Sequence, residues 1–451
     1  MLRQALPIAR TTFVEALRQP VVMILILVSG LFQVFNTANT GFTLGLETSQ
    51  EITGDNKLLL DIGMATVFLC GTLLAAFVAT ATMSREIENK TVLTVVSKPV
   101  GRPTLVLGKY LGVASAITFA TLTMLLFLLF AIRHRVMETA ADELDGPVLT
   151  FSALAVLLSI ALAAWCNYFY SWSFPQVVVI ALLPLSFCGY LLVLMLSPEW
   201  QWQPIMHDLR PQVTLACACL ILAILVLSAV AVAASTRLGQ VMTIVACLGV
   251  FLAALLSNYV VGRHVFHNDV IGIIKAVQPD DTEHPDFDAT GNVIRISLKQ
   301  APAKALHPGD SFYFSASPSG FPMSVPDFPP FSGRVDDANQ TLGPDTPGRL
   351  LIVHAEGLDL RVRHVGAAAL PILRVPEVGD YVFLNPTRTN YALLATWGGV
   401  PNLHFFWLLD AVSQNRPVPP QYLVAAAGYA MAQIVAFLSL GIFLFQRRDV
   451  G

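Results

Sequence analysis

Charged residues are scarce in this chain of 451 residues, where Asp, Glu, Lys and Arg together make up 13%. A soluble globular domain carries about 25% charged residues, whereas 55% of this chain is hydrophobic. This composition excludes an ordinary soluble enzyme and a disordered protein. A nucleic-acid partner is excluded as well, because 27 basic and 30 acidic residues leave a net charge of −3 and no excess of positive charge.

Ionisable side chains are absent from eight long apolar stretches, each close to the roughly 20 helical residues needed to cross a bilayer. These stretches lie at residues 21–36, 62–83, 110–132, 148–170, 177–197, 211–234, 241–261 and 422–445. They predict a polytopic α-helical membrane protein with about eight transmembrane helices. A short gap separates 148–170 from 177–197, so this pair fits either two full spans or a re-entrant pair. The absence of buried charge argues against an ion-coupled transporter.

A motif for nucleotide hydrolysis is also missing. The nearest similar stretch begins at Gly101 and continues through Gly108-Lys109-Tyr110. A phosphate-binding loop has the pattern G-x-x-x-x-G-K-[ST], and this stretch has six residues between its glycines and Tyr after the lysine. We therefore expect no cofactor in this chain, which must take its energy from a partner.

Cysteine is absent from residues 262–420, a segment rich in charge and proline, with 18 of the chain's 28 prolines. Short apolar runs alternate there with turn residues, which is typical of β-strands. The runs lie at residues 292–299, 311–315, 349–354, 358–365 and 380–384. The segment predicts an inserted extracytoplasmic β-rich domain at 262–420. It ends in an interfacial helix at 401–414 and is followed by the last span and a cytoplasmic tail at 421–451.

Basic residues are unevenly divided between the two sides of the predicted membrane region. With eight crossings and the N-terminus in the cytoplasm, cytoplasmic segments hold eleven Lys and Arg, and the short outer loops hold four. The positive-inside rule favours this orientation. It predicts a multi-pass protein of the cytoplasmic (inner) membrane, with both termini cytoplasmic and the domain at 262–420 outside.

Residues 1–19 precede the transmembrane region at 20–261, which contains seven of the spans. Leu2, Leu6, Phe13 and Leu17 fall on one helical face, and arginines including Arg10 and Arg18 lie around the rest. This pattern predicts an amphipathic elbow helix in the membrane interface. The alternative is a plain basic flank of the first span.

His264, His267 and Asp269, at the start of the outer domain, are a weak candidate for a metal site. Two imidazoles and a carboxylate are suitable zinc ligands. The favoured interpretation is a polar flank between membrane and domain, so no metal site is predicted with assurance.

The cytoplasmic loop at 84–104 has the most distinctive sequence of the chain. Glu86 and Lys90 form an i, i+4 pair in the favourable order, and Lys98 and Pro99 suit the end of a short helix. The loop predicts either a charged hairpin that docks on a cytoplasmic partner or a simple connection between helices. We favour docking.

Several segments resemble the ABC-2 type transporter permeases. The runs REIENKT, SKPVGR and GKYLG, which begin at residues 85, 97 and 108, are similar to the family's loop between its second and third spans. RTTFVEALRQP at residue 10, AASTR at 233 and LFQRRDV at 444 resemble its elbow helix, a later cytoplasmic turn and its C-terminus. The copper-maturation and gliding-motility permeases are the most similar branches. The family core has six spans and lacks the outer domain.

The resemblance implies a permease subunit without catalytic residues, paired with a second permease copy or homologue in the lipid bilayer. A separate ABC ATPase subunit would bind ATP and Mg. The implied ATPase-coupling residues are Arg85, Glu86, Glu88, Lys90, Lys98, Pro99 and Arg102, with Arg10, Phe13 and Arg18 on the elbow. The alternatives are an ATP-driven mechanical subunit of an envelope complex, with an extracytoplasmic protein partner, and a membrane-anchored scaffold.

Overall fold

The structure is a computed structural model in which the chain forms two compact units. One comprises Met1–Leu255 and Pro401–Gly451, and the other comprises Leu256–Val400. The described residues are 2–40, 51–84, 101–136, 144–279, 290–319, 323–343, 347–367, 370–409, 412 and 418–447.

The first unit is a bundle of long helices. Its described helices are α1 (Leu2–Arg18), α2 (Pro20–Thr40), α3 (Glu51–Ala79), α4 (Arg102–His134), α5 (Gly146–Tyr170), α6 (Phe174–Leu194), α7 (Pro211–Ser235), α8 (Gln240–Ser257) and α11 (Gln421–Gln446). Proline occupies the first turn of α4, α5, α6 and α7. The fixed φ of proline suits that turn, where its missing N–H costs no hydrogen bond.

Within the described residues, eight helices are long and apolar enough to cross a membrane, and they coincide with the eight predicted stretches. The predicted fold class is confirmed, and the chain is a multi-pass helical membrane protein with a separate β region. Helices α5 and α6 have 25 and 21 residues, and Ser171 ends α5 in a left-handed conformation (φ 56°). Both helices are long enough for full spans, which favours that interpretation over a re-entrant pair.

The bounds of α4 extend beyond the predicted stretch at 110–132, which itself contains no ionisable residue. Helix α4 begins eight residues before the predicted stretch and includes Arg102, Lys109 and Arg133. Lys109 and Arg133 are both buried. The apolar run is shorter than the helix, because the helix continues at both ends with residues whose charged groups reach outside the hydrocarbon layer.

Helices α3, α4 and α7 form the centre of the bundle. Of the most apolar stretch of α7, 72% is buried, against 17% for α8. The centre therefore uses small residues on every side of α7, including Ala216, Ala223 and Ala233, whereas α2, α5 and α8 present large apolar side chains outward.

The second unit is a six-stranded antiparallel sheet in the order β4-β7-β2-β3-β6-β5. The strands are β2 (Val270–Pro279), β3 (Val293–Leu298), β4 (Tyr313–Ser315), β5 (Arg349–Glu356), β6 (Asp359–Val365) and β7 (Tyr381–Phe383). Residues before β4 bond to the opposite edge: Phe312 N–H donates to Leu350 O (3.0 Å) and Ile352 N–H donates to Asp310 O (2.9 Å). The sheet thus closes on a core that includes Phe312, Phe314 and Phe383.

Five of these strands coincide with the predicted runs. Strand β2 was not predicted, because it follows directly after His267 and Asp269, which were interpreted as a polar flank between membrane and domain. A small second sheet pairs β1 (Phe266–His267) with β8 (Arg388–Thr389). Two short helices, α9 (Ala338–Leu342) and α10 (Tyr391–Gly399), complete the unit.

The predicted continuous helix at 401–414 is wrong for the residues that the structure describes. A 3-10 turn spans Leu403–Phe406 instead, and Asn402 accepts a hydrogen bond from the His404 N–H at its start. Leu403 and Phe406 are 3% and 1% exposed. Burial of these two side chains within the helical unit, together with the Asn402 cap, favours a tight turn over a helix lying on a surface.

Candidate coupling site

Two glycines of α4 allow α1 to approach it closely. A Cβ on Gly108 would lie 2.9 Å from the Ala5 carbonyl oxygen, and one on Gly112 would lie 2.6 Å from that of Ala9. Glycines four residues apart form the small-xxx-small face through which membrane helices pack backbone to backbone. The GKYLG run is therefore a seat for the elbow helix.

This seat determines which face of α1 is buried. Ala5, Thr12 and Ala16 are fully buried, whereas Leu6 is 60% exposed. A close backbone approach selects small residues for the protein side of α1 and leaves Leu6 on the outer side, where an interfacial helix would present its apolar residues to lipid. Phe13 is half-buried, and its ring meets the edge of Phe119 at 6.2 Å between centroids.

The arginines predicted on the elbow helix lie on its exposed face. Arg10 and Arg18 are both exposed. The Arg18 Nε donates to Gln176 Oε1 at 2.9 Å. Since Gln176 is in the first turn of α6, this bond fixes the end of α1 beside the turn between α5 and α6.

Two arginines, one in the first turn of α4 and one in the turn after α7, hold the last turn of α11. Arg102 Nη1 donates to the carbonyl oxygens of Gln446 (2.8 Å) and Phe445 (3.3 Å), and its guanidinium lies 5.7 Å from the Phe445 ring centroid. Arg237 Nε donates to Leu444 O (2.9 Å). Cations at a helix C-terminus satisfy its free carbonyls and match its partial negative charge. We call this cluster, with α1 and its glycine seat, the elbow face.

The other predicted coupling residues, Arg85, Glu86, Glu88, Lys90, Lys98 and Pro99, lie outside the described residues. The chain enters that segment from a π-helical turn, Thr80–Ser84, which contacts α1 and α7. It leaves at Arg102, at the elbow face. Both described flanks of the predicted coupling loop therefore adjoin this face.

Replacing Arg102 with glutamine should loosen the last turn of α11. A hydrogen bond to a charged group contributes about 1.5–3 kcal/mol when buried, and Arg102 is only partly buried, so we expect a loss of about 1 kcal/mol. The measurement is hydrogen exchange of the amides at 442–447, which should accelerate. Arg10→Gln, on the exposed side of α1, is the control; equal acceleration in both variants would contradict the assignment.

The weak metal candidates are only partly brought together. His267 Nε2 lies 3.4 Å from Asp269 Oδ1, but the other Asp269 oxygen accepts a hydrogen bond from Lys304 Nζ (3.3 Å). His264 Nε2 accepts a hydrogen bond from Arg263 Nε (3.0 Å). The Lys304 hydrogen bond and charge lower the pKa of Asp269. No group of three metal-ligating side chains occurs in the described part of the chain.

An ionic cluster at the far end of α4 was not found from the sequence. The Arg133 guanidinium bonds Asp145 (2.7 Å) and Asp208 (3.1 Å), with its side chain 7% exposed and theirs 4% and 10%. Asp145 also caps α5 by accepting from the Val148 N–H. The Asp-Gly-Pro start of α5 signals that cap, but no local pattern joins Asp208 to Arg133.

One comparison with known proteins gives a match. Residues 6–166 match the family model described as ABC-2 family transporter protein. No curated protein and no solved structure matches the chain. The matched region contains most of α1, the glycine seat and Arg102. Over residues 6–166 the chain is therefore similar to the ABC-2 family of transporter proteins, which supports the resemblance to an ABC-2 type permease.

Proposed function

We propose that this chain is the permease subunit of an ABC transporter and that a separate ATPase docks on its elbow face. ATP and Mg would bind that ATPase and drive movement of a substrate, as export or another transmembrane transfer. The family match supports a permease, and the single observation that carries the coupling proposal is the set of Arg102 bonds to the end of α11.

The elbow face is suited to pass on a force because it joins three helices that are distant in sequence. Gly108 and Gly112 hold α1 on α4, and Arg102 and Arg237 tie α4 and α7 to the last turn of α11. A displacement of the segment before Arg102 would therefore reach α1 and α11 without a flexible intermediate. Closely packed helices move together under such a displacement, because their interface does not deform continuously.

The arrangement in the membrane follows from this proposal. Both termini would lie in the cytoplasm, in the cytoplasmic (inner) membrane, with the strands of Leu256–Val400 outside. A second copy or homologue would complete the pathway. The weakly buried helices α2, α5 and α8 offer apolar surface to lipid or to that copy.

Reversing one charge in the loop should uncouple the complex. We expect Glu86→Arg, or deletion of 85–98, to abolish substrate-linked stimulation of the ATPase while membrane insertion and yield stay normal. The measurement is ATPase activity of the co-purified complex in vesicles. Lys57→Gln, before the second span and on the opposite side in the proposed orientation, is the control. Normal stimulation after either loop change would contradict the coupling role.

A mechanical role in an envelope complex is the second candidate, and the surface of the strand unit favours it. Leu373 and Val378 are 78% and 65% exposed on the connection between β6 and β7, and exposed apolar surface is a feature of protein contact sites. Crosslinking from these positions to envelope proteins, without vesicle transport, would support it. A chain that never co-purifies with an ATPase would instead be a scaffold.

A further inference from the structure

We propose that a small polar cavity at the far end of α4 binds one monovalent anion, such as chloride. The cavity has a volume of about 20 Å³. Its lining includes Arg133 in the last turn of α4, Arg135 directly after it, Tyr190 of α6, and Asp208 and Arg210 before α7. It lies in the helical unit, at the opposite end of α4 from Arg102, so it is separate from the elbow face.

Arg133, one of the residues that line the cavity, has one buried donor without a partner among the described residues. The two terminal nitrogens of Arg133 are satisfied: Nη1 donates to Asp145 (2.7 Å), and Nη2 contacts Leu196 O (3.3 Å) and Asp208 (3.1 Å). The Arg133 Nε is buried and makes no hydrogen bond to any residue that the structure describes. A buried N–H of a charged group without an acceptor is costly, so such a group is normally paired with an unseen water or ion.

Positive charge exceeds negative charge around this donor. Three guanidiniums line the cavity, from Arg133, Arg135 and Arg210, whereas the described carboxylates there are Asp208 and Asp145, both already bonded to Arg133. Burial lowers the pKa of Arg210, and the positive charge of Arg135 lowers it further. In the described part of the chain, Arg135 and Arg210 form no ion pair. An anion between these guanidiniums would relieve their repulsion.

The volume of the cavity and the nearby N-terminus of α7 also favour a small anion. A space of roughly 10–15 Å³ holds one water molecule, so the volume of about 20 Å³ suits one small particle. The N-terminus of α7 reaches the cavity through Arg210 and Val213, and its first turn contains no acidic residue. The partial positive charge of a helix N-terminus favours a bound anion.

The main competing occupant is a carboxylate of this chain. Glu138, Asp142 and Glu143 lie in residues 137–143, outside the described residues. If one of them fills the cavity, chloride should have no effect on the unaltered chain and should act only after all three are neutralised. The variant Glu138→Gln/Asp142→Asn/Glu143→Gln distinguishes the two occupants.

The test is thermal unfolding of the purified full chain in detergent, at constant ionic strength, with chloride, bromide or gluconate as the anion. The expected result is a saturable rise of the midpoint with chloride and bromide but not with gluconate. Arg210→Gln should raise the half-saturating chloride concentration about tenfold, which corresponds to about 1.4 kcal/mol. Arg10→Gln, an exposed arginine on α1, should leave it unchanged.

Anomalous diffraction from bromide-soaked crystals of the unaltered protein provides an independent readout. A bromide peak next to the Arg133 Nε would support the proposal. Equal midpoints in chloride and gluconate, an unchanged response in Arg210→Gln, or an effect confined to the triple acidic variant would overturn it. If Arg210→Gln fails to fold, Arg135→Gln tests the same charge, and the bromide experiment needs no variant.

Discussion

Replacement of Gly112 by leucine should detach the elbow helix. A Cβ at this position would meet the Ala9 carbonyl oxygen and the Thr12 Cβ, each at 2.6 Å, so α1 would have to move away from α4. Overpacking costs about 1–3 kcal/mol, and we expect the upper end because backbone cannot rotate aside as a side chain can. Thr12, now fully buried, should become exposed.

Maleimide labelling of Thr12→Cys in a chain without its native cysteines measures this exposure. Labelling should be slow with Gly112 and at least about tenfold faster with leucine, a change that corresponds to about 1.4 kcal/mol of opening free energy. Gly249→Leu is the matched control, because no atom lies within 4 Å of a Cβ built there. Slow labelling in Gly112→Leu, or equally fast labelling in the control, would refute the close packing of α1 on α4.

The second large effect is expected from Arg133→Met. This change leaves the Asp145 and Asp208 carboxylates buried, 4% and 10% exposed, without their shared cation. Removing one partner of a buried ion pair costs about 3–5 kcal/mol. The unfolding midpoint in detergent should therefore fall more than it does when an exposed ion pair is broken. Breaking an exposed pair lowers the stability by about 1 kcal/mol or less.

A rescue experiment separates lost charge pairing from lost packing. Adding Asp145→Asn and Asp208→Asn to Arg133→Met removes the stranded charges and should recover part of the stability. Lys304→Met, which breaks the exposed pair with Asp269, is the control. The electrostatic account fails if the triple variant is less stable than Arg133→Met alone, or if Lys304→Met is equally harmful.

The sequence could predict those features that depend on residues close together in the chain. The eight spans follow from local hydropathy, and their starts follow from prolines such as Pro147 and Pro211. The contact of Arg133 with Asp208 joins residues far apart in the chain, so no local pattern could find it. The burial of Ala5 and Thr12 depends on the glycine seat on α4, which the sequence of α1 alone does not reveal.

The candidate coupling residues also show that local motifs could be predicted from the sequence and long-range contacts could not. The role of Arg102 rests on α11, more than 340 residues away, and the motif around it could indicate only a turn. The GKYLG run resembled a family motif, but its physical reason, backbone contact with Ala5 and Ala9, required the packed helices. The predictions for Arg85 to Pro99 remain predictions.

The length of α4 has a consequence for where its two ends lie. Arg102 and Arg133 are 31 residues apart in one helix, a distance of about 46 Å at 1.5 Å per residue. A bilayer's hydrocarbon layer is only about 30 Å thick. Even when the helix tilts, both arginines therefore reach the headgroup regions of opposite leaflets. The elbow face and the anion cavity would each meet water, one on either side of the membrane.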